Sequence, residues 1–162
     1  MIVDEKAIGI DDLDRKIITK LMEDASMAHA DLAKELFVSP GTIHVRLKKL
    51  LSGGIIKNQR IEIDYHKVGY DVVAFLGIYL EKSSLYDEVA DLLLKIPEVV
   101  EAHYTTGNYS IFAKVICKDT KHLKSILTDQ IQAINGVQRT ETFISLQESI
   151  SRPLKIIPQD NA

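Results

Sequence analysis

The stretch from Leu32 to Ile56, LAKELFVSPGTIHVRLKKLLSGGII, constrains the fold more than any other part of the chain. It holds two short helical patterns with a sharp joint between them. Leu32, Ala33 and Leu36 give the first an apolar stripe, which breaks at Phe37-Val38. Ser39-Pro40 restarts the pattern, because serine caps a helix N-terminus and proline is pre-set for the first turn. Gly53-Gly54 predicts its end, since glycine accepts the left-handed conformation that closes a helix. At about 100° per residue, Ile43, Leu47, Leu50 and Leu51 share one face. Gly41, Thr42, Val45, Lys48 and Lys49 take the opposite face, with His44 and Arg46 on the flanks. A helix of this kind can bury one side and offer the other to a DNA major groove. Ser39 and the small or hydroxylated residues stand at its start and the cations towards its end, as base and phosphate contact requires.

A solvated amphipathic helix is the competing reading, and two features weigh against it. An outward Val45 among polar neighbours suits packing against a thymine methyl. Charge is also localised. Residues 34–60 carry six cations (Lys34, Arg46, Lys48, Lys49, Lys57, Arg60) and one acid, Glu35, whereas residues 1–33 carry four cations and eight acids. A chain of net charge -3 thus gathers positive charge where the reading head would be. Net acidity argues against a non-specific nucleic-acid coat, not against a local patch.

The rest of the chain sets the frame. Hydrophobic residues make up 46% and charged residues 27% of the 162 positions, which suits one medium or two small globular domains. No apolar run approaches the ~20 residues a membrane span needs. The start, MIVDEKAIGIDD, lacks a secretory pattern, and the single Cys117 forms no internal disulfide framework, so a cytoplasmic location is expected. A first helix is predicted over Asp12–Asp24, capped by Asp11 or Asp12, with Leu13, Ile17, Leu21 and Met22 at helical spacing. Residues 55–64 are expected to form a hairpin wing turning at Lys57-Asn58-Gln59, with Lys57 and Arg60 against phosphate.

Beyond the weakly patterned DYHKVGYD, strands are predicted over Val72–Leu80, Val99–Thr106, Tyr109–Cys117 and Val137–Leu146, and helices over Leu85–Ile96 and Leu123–Ile134. The order is βαββαβ, an antiparallel sheet with helices on one face. Ile96-Pro97-Glu98-Val99 and Ile134-Asn135-Gly136-Val137 echo one another as helix-to-strand joints. The fold class is α+β: a winged helix-turn-helix domain (1–64), a linker (65–73), a ferredoxin-like domain (74–150) and a polar tail (151–162), expected as an arm or a disordered segment. The sheet face without helices is expected to pair with a second copy, through side chains including Phe75, Tyr79, Tyr104, Phe112 and Phe143.

With both halves read, LDRKI, DLAKELFVSPGTIHVRLKKL, GII, GYD and TTGNYSIF make the chain resemble the Lrp/AsnC (leucine-/asparagine-responsive) regulators over nearly its full length. SPGTIHVR and YTTGNYS are closer to the asparagine-responsive branch. The resemblance implies a regulator that binds double-stranded DNA, senses an amino acid in its second domain, and forms homodimers that assemble further, commonly to octamers, without catalysis or a cofactor. It assigns recognition to Ser39–Leu51 and the effector to a loop over Thr105–Ser110. Two departures stand out: Ser110 where many members have aspartate, and Ala28 where many cap the second helix with Ser or Thr.

The loop has a physical reading of its own. A tight turn at Gly107-Asn108 would expose N–H groups to a ligand carboxylate, with glycine allowing close approach. Tyr104, Thr105, Thr106, Tyr109 and Ser110 complete the loop set, Thr140 and Thr142 share one face of the last strand, and Gln132 can meet a side-chain amide. Asparagine is the expected effector and glutamine the second choice. A plain hairpin, with threonines as ordinary strand formers, is the competing reading. No metal site is expected from His29, His44, His66, His103 and His122, which are scattered. No catalytic motif stands out, and Cys117 reads as a packed apolar group. One enzyme alternative shares this architecture, a sirohaem-decarboxylase-like subunit with His103 and Tyr104 at a pocket. A purely allosteric amino-acid-binding subunit would leave the cationic helix unexplained.

Overall fold

The computed structural model describes residues 9–154 and 156. They divide into two compact units: one runs to Ile61 and is rejoined by the chain from Ile150, and the other spans Glu62–Ser149. The remainder of the acidic N-terminal stretch and of the tail lies outside the described residues.

Three helices build the first unit: α1 (Asp12–Glu23), α2 (His29–Glu35) and α3 (Pro40–Ser52). Asp11 starts α1 through a reciprocal capping box, its carboxylate accepting from Asp14 N–H at 2.9 Å while Asp14 accepts from Asp11 N–H at 3.2 Å. Ser39 caps α3 by accepting from Thr42 N–H at 3.1 Å, whereas Ala28 gives α2 no side-chain cap. Ile17, Leu32, Ile43 and Leu50 are fully buried where the helices meet. Leu51, expected on the buried stripe, is half exposed because the stripe centres on Ile43, Leu47 and Leu50. The left-handed residue that closes α3 is Gly54, with φ 68°.

The wing is a correction. Residues 57–64 form no strand, and Ile61 is exposed. A lone two-stranded hairpin is marginal in water, and Lys57-Asn58-Gln59 has no glycine to favour a tight hairpin turn. In the tail, Ile156 packs on the core of this unit.

The second unit holds β1 (Val72–Leu80), α4 (Tyr86–Leu93), β2 (Val99–Tyr104), β3 (Ile111–Cys117), α5 (Thr120–Ser125) and β4 (Val137–Ile144). The sheet order is β2-β3-β1-β4, with every pair antiparallel. Ala74, Leu76 and Ile78 of β1 alternate inward with Ile111, Ala113 and Val115 of β3, and meet Val89, Leu93, Leu123, Ile126 and Ile131 from the helices. A wider π turn over Ile126–Ile131 continues α5, closed by Gln132 N–H to Leu127 C=O at 2.8 Å. Ladder bonds of the i→i+5 kind return residues five apart to nearly one side, so Ile126 and Ile131 both reach the core. The two echoing joints share an i→i+3 bond, Val99 N–H to Ile96 C=O at 3.0 Å and Val137 N–H to Ile134 C=O at 3.1 Å. Only the second needs glycine, Gly136 having φ 95°.

Candidate nucleic-acid interface and effector loop

The outward side of α3 carries Gly41, His44, Val45 and Lys48, all exposed, with Thr42 half-buried beside them. Val45 is 65% exposed, far more than a valine with an intradomain role would be. Lys48, Lys57 and Arg60 are exposed and hold no ion pair among the described residues. His44, Lys48 and Gln59 also rim an apolar groove of about 620 Å³ floored by Leu21, Leu47, Leu51 and Ile56.

Two of the helix's cations, Arg46 and Lys49, are paired within the domain, an alternative that the flank position of Arg46 also allowed. Asp14 is fully buried in α1, and Lys49 Nζ lies 2.7 Å and Arg46 Nη1 3.2 Å from its carboxylate. Arg46 also pairs with Asp11, and Lys49 donates to Gly9 C=O at 2.6 Å. A buried carboxylate needs such partners, since an unpaired charge away from water is strongly destabilising. Arg46 and Lys49 therefore fasten the recognition helix to α1. Asp11 titrates below the usual aspartate value, chiefly because it accepts the Asp14 N–H and then because Arg46 pairs with it. Asp14 carried no signal in the sequence beyond its place in the α1 cap.

In the second unit the β2–β3 ladder ends at Tyr104 opposite Ile111. Thr105 N–H then bonds Ser110 C=O at 3.1 Å, and the Thr105 hydroxyl donates to Tyr109 C=O. The connection is thus a wider loop, not the expected tight turn at Gly107-Asn108. Gly107 has no positive φ, and a Cβ there would meet nothing, so the backbone does not require glycine. Thr106, Gly107 and Asn108 are exposed at its tip.

The remaining candidates separate onto two sides of the sheet. Thr140 and Thr142 pair with Ile78 and Leu76 and so face the helix side, where Gln132 Nε2 donates to Thr140 Oγ1 at 2.8 Å. Ser110 N–H bonds Ile78 C=O at 2.9 Å, and Ser110 Oγ accepts from Leu80 N–H at 3.4 Å. Ser110 and Thr140 thus flank the same end of β1. Tyr104 also lies on the helix side, its ring 4.3 Å from that of Tyr86, which removes it from the pairing-face set. Tyr109 goes the other way. It crosses the open face and donates from its hydroxyl to Glu141 Oε2 at 2.8 Å.

Phe75, Tyr79, Phe112 and Phe143 do share that open face by register. Sequence reasoning missed Gly77, Arg139 and Glu141 as its members. The signal was there: β4 alternates Arg139, Glu141, Phe143, and Gly77 interrupts the large side chains of β1. Cys117 is buried, and desolvation pushes its thiol up to about 11, so it is no nucleophile at neutral pH.

Residues 10–51 match the AsnC-type helix-turn-helix domain, and residues 73–154 match the Lrp/AsnC ligand binding domain. The chain is 49% identical over 147 residues to the regulatory protein AsnC of Haemophilus influenzae, covering 91% of this chain and 98% of the relative. The structure of E. coli AsnC superposes with a TM-score of 0.86 at 46% identity, over 91% of this chain and 99% of that one. The feast or famine regulatory protein from M. tuberculosis complexed with L-methionine superposes at 0.83 with 26% identity, over 88% of this chain and 96% of that one. These relatives are regulators, which sets aside the decarboxylase alternative. By its two domains, its fold and its agreement with these proteins, the chain belongs to the Lrp/AsnC family of transcriptional regulators.

Proposed function

We propose that this regulator reads duplex DNA with α3 and is switched by a small neutral amino acid, asparagine first and glutamine second, held at the Thr105–Ser110 loop. Supporting the DNA reading is one observation above others: a recognition helix whose Val45 is 65% exposed while its cations at Arg46 and Lys49 are already spent on α1. Base choice then rests on Thr42, His44 and Val45, and phosphate contact on Lys48, Lys57 and Arg60. Ser39 and Gly41 place the helix start close to the duplex.

For the effector, the candidate groups are hydroxyls, amides and backbone N–H groups, and no carboxylate stands among them. The acid that the loop's Tyr109 reaches, Glu141, accepts from Tyr109, Tyr79 and Arg139 on the other face. Such a set favours an amide side chain over a cationic one. It also disfavours leucine, whose apolar side chain would leave those polar groups unpaired.

A homodimer formed through the open sheet face, assembling to an octamer, supplies the two coupled reading heads that a specific site demands. That face carries both signs of charge, Lys114 and Arg139 against Glu101 and Glu141, around Phe75, Phe112 and Phe143, as a self-complementary surface can. No helix among the described residues is long and apolar enough to cross a membrane, and a DNA-reading regulator belongs in the cytoplasm. Calorimetry with asparagine, glutamine, leucine and lysine tests the effector. Heat from asparagine and glutamine alone is expected, and tight leucine or lysine binding with none for asparagine contradicts the choice.

A further inference from the structure

Gly77 stands in the middle of β1 on the open face, between Phe75 and Tyr79, without a positive φ to explain it. What explains it is clearance. A Cβ built there would overlap the ring of Tyr109, an approach no real side chain tolerates. Tyr109 belongs to the effector loop, yet its ring lies across β1 and its hydroxyl ends on Glu141 of β4. That carboxylate also accepts from Tyr79 Oη at 3.0 Å and Arg139 Nη1 at 2.8 Å, and the Arg139 guanidinium stacks 3.6 Å from the centre of the Tyr79 ring. Tyr79 meets the Tyr109 ring edge-on at 5.2 Å, with Phe112 and Phe143 further out at 6.0 and 6.3 Å. At the loop end the Thr105 hydroxyl donates to the Tyr109 carbonyl, so the loop backbone and this ring are tied to one another.

We propose that Tyr109, seated on Gly77 and held by Glu141, is the positioning residue that couples the effector loop to the pairing face. Loop conformation and pairing of two copies are then one equilibrium. This rests on the reading of the open face as the dimer surface and of Thr105–Ser110 as the effector site. The physical reason is the carboxylate. With three donors, Glu141 can be covered by a second copy; a loop movement that withdraws Tyr109 leaves it short of a donor on a surface about to lose water. An amino acid that shifts the loop therefore changes assembly.

The test compares the full-length protein with its Glu141→Gln and Gly77→Ala variants. Light scattering over a dilution series reads assembly, and hydrogen exchange of residues 105–110 reads the loop at each concentration. In the unsubstituted protein without amino acid, the loop is expected to exchange at least about fivefold more slowly when assembled, the low end of typical coupling. Both variants are expected to lose that dependence and to assemble only at higher concentration. Gly77→Ala alone misfolding would leave Glu141→Gln, which keeps the side-chain shape, to decide the matter. Loop exchange indifferent to assembly in the unsubstituted protein overturns the proposal, as does Glu141→Gln retaining both the coupling and the assembly midpoint. Adding asparagine separates the two readings. Absence of asparagine binding with coupling intact removes the effector assignment and leaves the Tyr109 link standing; asparagine binding without coupling does the reverse.

Discussion

Phe37 occupies the joint of the helix-turn-helix with φ 56° and is 95% exposed. An L-residue in the left-handed region costs roughly 1–2 kcal/mol, and this ring recovers almost nothing by burial. Phe37→Gly is therefore expected to raise stability by roughly 0.5–1 kcal/mol after glycine's extra chain entropy is subtracted, read as a higher melting temperature; a fall would show that the ring has a partner. Val45→Ser should cost specificity on the order of 1 kcal/mol with little change in salt dependence, measured by competition between operator and random DNA. Glu141 titrates below the usual carboxylate value, first because Tyr109 donates to it and then because Tyr79 does. Its contribution to stability is present above the unfolded glutamate value and is lost as pH falls through the lower folded one. Melting temperature should therefore drop on acidification below about pH 4, and Glu141→Gln should flatten that drop. At this scale the sequence was legible where chemistry is local, as at the Ser39 cap. It was illegible at Asp14, whose partners lie more than thirty residues away along the chain.

Among the elements, α3 gives its neighbouring lysines different roles, Lys48 facing outward and Lys49 paired with Asp14. Lys48→Ala should weaken operator and random DNA alike and reduce the salt slope by about one charge. Lys49→Ala should instead destabilise the first unit by about 1–3 kcal/mol, because it removes one charged partner of a buried carboxylate while Arg46 remains. Denaturant unfolding and salt-titrated DNA binding distinguish the two, and a Lys49 variant of unchanged stability would mean that the ion pair with Asp14 carries no weight. The β strands were readable because their alternation is a property of the segment itself, and β1 occupies the predicted Val72–Leu80. The wing was not readable, since a strand exists only if something pairs with it, and residues 57–64 find no ladder partner among the described residues. The π turn escaped for a related reason: Ile126 and Ile131 fit a helical stripe only loosely, and packing against the sheet settles the wider turn.

For the whole molecule, the sheet has one face under helices and one bearing Phe75, Phe112, Phe143 and the Glu141 cluster. Phe112→Asp and Phe143→Asp should each lower the mass seen by light scattering at micromolar concentration while leaving the far-ultraviolet spectrum unchanged. Unaltered assembly would place the interface elsewhere. The regulatory domain pair was legible as a whole because its two halves carry unlike periodicities. The proposed link between the Thr105–Ser110 loop and assembly was not, because Tyr109 departs from its loop to a partner on another strand.

The central proposed linkage is that an amide amino acid changes how tightly this protein holds DNA. Fluorescence anisotropy with a duplex from upstream of its own gene, titrated with and without asparagine at fixed salt, measures it directly. A shift in Kd within the typical 5- to 150-fold range is expected, smaller with glutamine and none with lysine or leucine. Tight, salt-dependent binding to that duplex that ignores asparagine and glutamine, but shifts with leucine or lysine, would contradict it.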